Sequence, residues 1–165
     1  IVVANAGVLK AFDITEFPAD AWRFVIDVNL VGTYRFCRAC LPALARSRGG
    51  RIVNIASRMG RSPAPLNSAY SASKAGLIGL TNTIAREYGA KGITANIVAV
   101  GYVETEMTGQ HLAQQLHDIW MSYCPSKRIG TAEEIASCVH YLTTDNAGFI
   151  NGETIRIAGG LTYIP

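Results

Sequence analysis

The sequence predicts an α/β fold built on a doubly wound parallel sheet, and three apolar segments with helical patterns between them carry that prediction. Residues 1–4 are four apolar residues without alternation, a pattern typical of a strand buried on both faces. Residues 51–56 and 93–100 are two further apolar segments with strand character. Segments with helical periodicity separate all three, which is the order expected of βαβ units.

The first strand also predicts that the chain belongs to a larger domain. A strand at the centre of a sheet needs neighbours on both sides, and nothing precedes this one in the sequence. At about 30 residues per βαβ unit, something on the order of 80 residues would be absent. We therefore expect residues 1–165 to form the second part of a single domain, from its fourth strand onward.

Composition restricts the class of protein. The chain has 165 residues, of which 49% are hydrophobic and 16% charged, so it can bury a sizeable core and is not disordered. A net charge of +3 does not indicate a nucleic-acid partner, and no apolar run reaches the ~18 residues of a membrane span. Cys37 and Cys40 fall inside a helical pattern and are interpreted as buried or half-buried thiols. Reduced thiols fit a cytoplasmic protein.

Polar residues that could do chemistry follow the second strand. Ser57 closes that strand, and Tyr70 and Lys74 lie one turn apart at the start of a helix predicted over residues 70–88. In an α/β fold the carboxyl end of a strand and the amino end of the next helix lie at the same sheet edge, where ligands bind. We expect these three side chains to converge on one cleft.

The three side chains suit acid–base chemistry at an alcohol or carbonyl. Tyrosine has an unperturbed pKa of about 10, and a lysine ammonium within ~4–6 Å would lower it by ~1–3 units. The i, i+4 spacing of Tyr70 and Lys74 gives that proximity. Ser57 could then hydrogen-bond the oxygen that Tyr70 protonates or deprotonates. No histidine lies near Ser57 in the sequence to make it an acyl nucleophile.

Tyr70-Ser-Ala-Ser-Lys74, with Ser57 thirteen residues upstream, resembles the catalytic signature of the short-chain dehydrogenase/reductase family. The resemblance implies a Rossmann fold and an NAD(P)(H)-dependent oxidoreductase that interconverts a secondary alcohol and a ketone. It makes Tyr70 the acid/base, Ser57 the group that binds the carbonyl oxygen, and Lys74 the group that holds the nicotinamide ribose. The similar branch includes 3-oxoacyl-carrier-protein reductases and sugar, steroid and polyol dehydrogenases. NAD and NADP both remain open, because the segment that separates them is absent.

Two further segments carry the same resemblance. Asn5-Ala6-Gly7 is similar to the family's Asn-Asn-Ala-Gly motif beside the cofactor, with Ala4 in place of the first asparagine. Asn29 lies inside a helical pattern, in a segment similar to the family's Val-Asn-Leu. By resemblance Asn29 is a fourth catalytic residue, which interrupts the helix and holds a water in a proton relay to the lysine.

The segment after the third strand resembles the family's cofactor loop. Gly101, Val103 and Thr105 match Pro-Gly-x-Val/Ile-x-Thr, which contacts the nicotinamide carboxamide and the pyrophosphate, and Val100 replaces the proline. Residues from about 105 to 126 correspond to the family's substrate lid, and an amphipathic helix is expected there. His111 and His117 in this segment are six apart and do not share a helix face, so no metal site is predicted.

The remaining predictions concern the later helices and assembly. Thr131 and Glu134 form a capping-box pattern at the start of the last long helix. Small residues on one side of the 70–88 helix would permit close approach of a second helix; they are Ala72, Ala75, Gly76 and Gly79. The family typically forms homodimers or homotetramers, here through the helices around 30–46 and 70–88 and the carboxyl-terminal strand.

Two other functions stay open. A cofactor-free lyase on the same scaffold, a halohydrin dehalogenase, would carry Arg in the position of Lys74, so the lysine argues against it. The other alternative is an inactive fragment, or a structural or binding piece. That alternative is favoured by the absence of the glycine-rich turn with which the family holds the pyrophosphate.

Overall fold

The computed structural model describes residues 1–105 and 114–161, with the backbone alone for 114–117 and 119. Its centre is a four-stranded parallel sheet in the order β1-β2-β3-β4. The strands are β1 (Val2–Ala4), β2 (Arg51–Ser57), β3 (Thr94–Val100) and β4 (Thr154–Ile157). This sheet confirms the predicted α/β class. Within the described residues, no helix is both long enough and apolar enough to cross a membrane.

Helices lie between the strands, as the periodicity predicts. The α-helices are α1 (Ala19–Ile26), α2 (Thr33–Leu44), α3 (Ser68–Tyr88), α4 (Gln114–Tyr123) and α5 (Ala132–Leu142). A π-helix (Asp27–Gly32) joins α1 to α2, and 3₁₀ turns occupy Arg58–Gly60, Gly89–Lys91 and Asp145–Ala147. The α4 helix confirms a helix in the predicted lid segment, of which residues 106–113 lie outside the described residues.

The sheet is covered on both faces. Ile52 packs with Cys37, Leu41 and Ile84 on the face that α2 and α3 cover. Val53, one residue later, points to the opposite face and packs with Leu142 from α5. Because successive strand residues point to opposite faces, β2 supplies apolar side chains to both helix layers, from Ile52, Val53, Ile55 and Ala56. The structure buries β2 and β3 on both faces.

The first strand differs from the prediction. Val2 and Ala4 are buried, whereas Val3 is 38% exposed and Ile1 73% exposed. Among the described strands β1 lies at the sheet edge, and Val3 lines an open cleft instead of a second helix layer. Within the described residues β1 is therefore buried on one face, and its burial on both faces stays a prediction for a larger domain.

Helix boundaries follow local sequence signals with one exception. Pro18 is the N-cap residue of α1, and Thr131 forms with Glu134 the predicted capping box of α5. The Arg128 guanidinium also bonds both carboxylate oxygens of Glu134, and this contact lowers the pKa of Glu134 to about 2. The exception is Pro42, which lies within the last turn of α2 and does not end it.

Buried polar pairs hold α3 against the sheet. Asn54 on β2 donates from Nδ2 to Thr81 Oγ1 on α3 over 2.8 Å, and Thr81 donates in turn to the Leu77 carbonyl over 2.7 Å. Buried polar groups are costly unless they are hydrogen-bonded, so this chain favours one placement of α3. That placement brings the amino end of α3 beside the end of β2.

Candidate active site

A cleft with a volume of about 920 Å³ opens at the carboxyl ends of the strands. The site residues predicted from sequence that line it are Asn5, Ala6, Gly7, Ser57, Tyr70, Lys74, Gly101, Val103 and Thr105. They come from three strand ends and from α3. Parallel strands place these ends on one edge of the sheet, which is the usual ligand-binding edge of such folds.

Ser57 and Tyr70 meet as predicted. Ser57 is the last residue of β2, and its Oγ accepts a hydrogen bond from the Met59 backbone N–H over 3.2 Å. Tyr70 lines the same cleft, and the neighbouring Ser57 side chain acts to lower the pKa of Tyr70. Ser57 and Tyr70 therefore border the same cleft.

Lys74 is a deeply buried amine. Its residue is 4% exposed, and its Nζ donates to the Ile55 carbonyl on β2 over 2.9 Å. The same Nζ lies 5.5 Å from the centre of the Tyr70 ring. Burial disfavours the charged form and lowers the pKa of Lys74 to about 8. Lys74 can therefore change protonation state close to neutral pH.

The pKa of Tyr70 differs from the sequence-based expectation. Burial raises it above its ordinary value, and the hydrogen bond from Ser57 offsets this only in part. The expected lowering by Lys74 is not found. The reason is desolvation, because the helix and the strand end enclose both groups and penalise phenolate and ammonium alike. At neutral pH Tyr70 is held as the neutral phenol.

Asn29 lies behind the cleft and interrupts the helix, as the resemblance implies. It is fully buried within the π-helix. Its Oδ1 accepts from the Val8 N–H over 2.8 Å, and its Nδ2 donates to the Val8 carbonyl over 3.0 Å and to Ser73 Oγ over 3.1 Å. The side chain thus ties the segment after β1 to α3. The structure brings Asn29 close to the trio without placing it in the cleft lining.

Ser73 is a positioning residue that sequence reasoning missed. Its Oγ accepts from Asn29 and donates to the Tyr70 carbonyl over 2.7 Å, so it connects the π-helix to the turn that carries Tyr70. Ser73 is fully buried. In the sequence, Ser73 is visible only as a hydroxyl residue between Tyr70 and Lys74. Such a residue does not by itself indicate a hydrogen-bond partner.

Two glycines shape the space around Lys74. A Cβ built on Gly7 would lie 3.5 Å from both Asn29 Oδ1 and Lys74 Nζ, so glycine leaves the room between those groups open. A Cβ on Gly60 would lie 2.9 Å from the carbonyl carbon and oxygen of Lys74. Backbone atoms cannot move aside cheaply, so glycine is required for the turn after Ser57 to lie on α3.

Arg58 was also missed from sequence. It follows Ser57 directly, is 5% exposed, and has its Cζ 5.2 Å from the ring centre of Trp120 on α4. Trp120 also makes an edge-to-face contact with Tyr102, with ring centres 5.0 Å apart. These contacts join the predicted lid helix to the end of β2 and to the loop after β3.

The residues present fit a nicotinamide nucleotide. The open space at Gly7 lies against an amine that can donate to ribose hydroxyls, and the loop after β3 borders the same cleft. The cleft volume of about 920 Å³ is within the ~300–1,000 Å³ of small-molecule sites. In the part of the chain that the structure describes, no three His, Cys, Asp or Glu side chains come together as metal ligands would. His111 lies outside the described residues, as does the side chain of His117.

Known proteins resemble this chain over nearly its whole length. The family model described as enoyl-(acyl carrier protein) reductase matches residues 1–162. The 3-oxoacyl-[acyl-carrier-protein] reductase FabG of Salmonella typhimurium is 38% identical over 99% of this chain, and that of Escherichia coli is 37% identical over the same share. In both comparisons the chain spans 67% of the relative's length.

Solved structures share the fold closely. A 3-oxoacyl-[acyl-carrier protein] reductase from Brucella melitensis is 34% identical with a TM-score of 0.92, over 97% of this chain and 62% of its own. A putative 2-deoxy-D-gluconate 3-dehydrogenase from Agrobacterium tumefaciens with bound NADP is 33% identical with a TM-score of 0.93, over 97% and 66%. A second Brucella melitensis reductase, with bound NAD, is 33% identical with a TM-score of 0.89, over 97% and 61%.

These matches agree with the site's geometry. The family model covers the segments that carry the predicted signature, and the relatives have the same parallel-sheet architecture. The sequence identities of 33–38%, over 97–99% of this chain, are higher than proteins that share only a fold would show. The chain therefore belongs to the short-chain dehydrogenase/reductase family of oxidoreductases.

Proposed function

We propose that this chain supplies the catalytic site of an NAD(P)(H)-dependent oxidoreductase that interconverts a secondary alcohol and a ketone. The observation that carries the proposal is the convergence of Ser57, Tyr70 and Lys74 at the sheet edge. The buried Lys74 amine lies 5.5 Å from the centre of the Tyr70 ring and donates to the Ile55 carbonyl, and the Ser57 side chain acts on the pKa of Tyr70. Ser57 and Tyr70 both line the cleft at the carboxyl ends of the strands.

The cleft residues divide into a nucleotide-binding set and a substrate-binding pair. The nucleotide would be held by Asn5, Ala6, Gly7, Lys74, Gly101, Val103 and Thr105, with Tyr70 at the boundary. Bound there, the nicotinamide would supply the hydride that the protein itself cannot provide. Ser57 and Tyr70 would bind the substrate oxygen.

Proton transfer follows from the pKa values. In the reductive direction Tyr70, held as the neutral phenol by burial, donates its proton to the substrate oxygen while Ser57 hydrogen-bonds the same oxygen. Lys74, whose pKa of about 8 allows it to be protonated at neutral pH, can restore that proton. Asn29 is proposed to hold the water that continues this relay. Its side-chain bonds to Val8 and Ser73 fix the neighbouring backbone for that role.

The domain and assembly proposals follow the same family. Residues 1–165 are proposed as the carboxyl-terminal part of one NAD(P)-binding Rossmann domain, with a lid over about 105–126. The exposed side of β1 at Val3 is where further strands or a helix layer would pack. A cytoplasmic homodimer or homotetramer, formed through the segments around 30–46 and 70–88 and through β4, completes the proposal.

The first test compares Tyr70→Phe with the natural chain. Removing the phenolic hydroxyl should lower turnover of a ketone panel by roughly 10²–10⁴-fold, because the general acid is lost, while NADH and NADPH fluorescence titrations stay largely unchanged. Tyr141→Phe, at an exposed position on α5, is the matched control and should keep full activity. Both nucleotides are titrated because relatives with NADP and with NAD are known.

Three outcomes would contradict the proposal. Full activity of Tyr70→Phe would remove Tyr70 from the chemistry. Failure of the natural chain to bind either nucleotide would favour an inactive fragment or a binding piece. Conversion of a haloalcohol to an epoxide without any nucleotide would favour the lyase alternative.

A further inference from the structure

The structure contains a buried guanidinium beside the proposed catalytic serine that the proposed reaction does not use. Arg58 is 5% exposed, and its Nη2 is buried without a hydrogen-bond partner among the described residues. Its pKa is lowered, and burial is the cause. Buried charges in proteins are normally paired with an opposite charge or bound to a metal. The Arg58 guanidinium therefore needs a partner that the described residues do not supply.

No carboxylate among the described residues serves Arg58. The ion pairs found there join Arg23 to Asp20, Arg51 to Asp145 and Arg128 to Glu134. Arg58 instead stacks on Trp120, which covers one side of the guanidinium but supplies no hydrogen-bond acceptor. Among the described residues, the Nη2 atom of Arg58 therefore has no hydrogen-bond acceptor.

Two more arginines adjoin Arg58. One small void is lined by Arg58, Arg61 and Arg156, here called the arginine cluster, together with Ser57 and Ser62. No Asp or Glu is among the described residues that line this void. Ala56 and Ser57 line both this void and the main cleft, so the two adjoin at the catalytic serine. Its volume of about 10 Å³ admits little more than one atom group of the size of a water. One oxygen of a ligand's anionic group could enter this void, and the rest of the group would lie in the adjoining main cleft.

The backbone turn that carries Arg58 and Arg61 is held by hydrogen bonds before any ligand arrives. The Arg58 carbonyl accepts hydrogen bonds from the N–H groups of Arg61 and Ser62, over 3.0 and 2.9 Å. Trp120 packs on the Arg58 guanidinium and is itself packed on Tyr102. A guanidinium fixed in this way loses little conformational freedom when it binds an oxyanion.

We infer that the arginine cluster is a subsite for an oxyanion carried by the substrate, a carboxylate or a phosphate ester, next to the carbonyl that Ser57 binds. The substrates would then be anionic ketones and alcohols. This inference rests on the proposed function. The chemistry is a charge-assisted hydrogen bond from Arg58 to an oxygen of the anion, with Arg61 and Arg156 adding positive potential.

The kinetic test uses matched substrates that differ only in charge. The natural chain is compared on 2-, 3- and 4-oxo acids and on their methyl esters, because the spacing between ketone and anion is not known in advance. At least one acid should be preferred over its ester, and Arg58→Met should reduce that preference roughly tenfold or more. Arg23→Met, at an exposed position on α1, is the control and should leave the preference unchanged. Arg156→Met, at an exposed position, gives a second variant should Arg58→Met fail to fold.

A binding test works without turnover. The chain has two tryptophans, so in a Trp22→Phe background Trp120 alone reports on its contact with Arg58. Acetate or inorganic phosphate should change the fluorescence saturably, matched chloride should not, and Arg58→Met should abolish the response. Saturation by phosphate alone would assign the subsite to phosphate esters, and saturation by acetate would assign it to carboxylates.

Failure of the subsite inference can be distinguished from failure of the proposed function. Equal kcat/KM for acids and esters in an active natural chain, or an unchanged preference in Arg58→Met, would overturn the subsite and leave the proposed function intact. If no ketone is reduced, the proposed function fails and the fluorescence titration decides the subsite by itself. Absence of any saturable anion response would then overturn it.

Discussion

Lys74 illustrates how a site residue acquires its properties from its surroundings. Its amine is enclosed by α3 and β2, and its hydrogen bond to the Ile55 carbonyl holds it below Tyr70. Both groups are desolvated, so the pKa of the amine falls and that of the phenol rises. The result is a neutral proton donor beside an amine that titrates near pH 8. This combination suits proton donation at neutral pH, whereas the sequence predicts a lowered pKa for Tyr70.

The depressed pKa of Lys74 predicts a dependence of stability on pH. Its folded pKa of about 8 lies below the ordinary 10.5, so between these values the unfolded chain binds more protons and stability rises with pH. Relative to Lys74→Met, the natural chain should gain on the order of 3 kcal/mol between pH 7 and pH 10.5, as an upper bound. Urea unfolding of both proteins at a series of pH values measures the difference. Parallel curves would show that Lys74 titrates normally.

The π-helix is the element that brings the segment after β1 to the site. Between α1 and α2 it widens the helix at Asn29, whose side chain holds both backbone polar groups of Val8. π-Helical turns inside α-helices are often found at functional sites. Here the widened turn, the segment after β1 and α3 are joined by one buried amide, with Ser73 as the contact on α3.

Loss of that amide should loosen the whole junction. Asn29→Ala leaves the Val8 N–H and carbonyl without their partner, and the free energy of unfolding should fall by about 2–4 kcal/mol. Urea unfolding measures this loss, and faster hydrogen exchange at the Val8 amide should locate it. Asp27→Ala, exposed on the same π-helix, is the control and should change stability by less than about 0.5 kcal/mol. Equal effects of the two substitutions would argue against the junction.

At the scale of the molecule, one face of the sheet carries helices with apolar groups left exposed. Tyr34 and Phe36 on α2 are each nearly half exposed, and Ala72 and Ala75 on α3 face outward. Gly76, predicted with these alanines as part of a helix interface, instead packs against Leu30, since its Cβ would lie 2.7 Å from that side chain. The proposed subunit interface therefore depends on the outer residues of α3.

A charge placed on that outer face should prevent assembly. Ala75→Arg is expected to convert a homodimer or homotetramer to a smaller species, because a buried unpaired guanidinium is costly at an interface. Size-exclusion chromatography with light scattering measures the mass. Ala90→Arg, exposed beyond the end of α3, is the control and should leave the mass of the assembly unchanged. A monomeric natural chain would contradict the proposed oligomer.

Much of the fold could be predicted because it depends on local patterns. The apolar runs before Ser57 and Gly101 are strands, Pro18 starts a helix, and Thr131 caps one. The spacing from the strand end at Ser57 to a helix carrying Tyr70 was enough to place both at one sheet edge. These outcomes need only the periodicity of side chains and the geometry of parallel sheets.

The tertiary structure decided what depends on residues distant in the sequence. The direction of the Tyr70 pKa shift reflects enclosure by other elements, and Gly60 is required by the backbone of α3. Arg58 is a charged residue after a strand, which sequence reasoning would leave in solvent, yet Trp120 covers it from a helix more than 50 residues away. Residue type and spacing in the sequence determined which groups meet in this protein. Their charge states and contact partners were determined by packing alone, because desolvation and close approach are properties of packing.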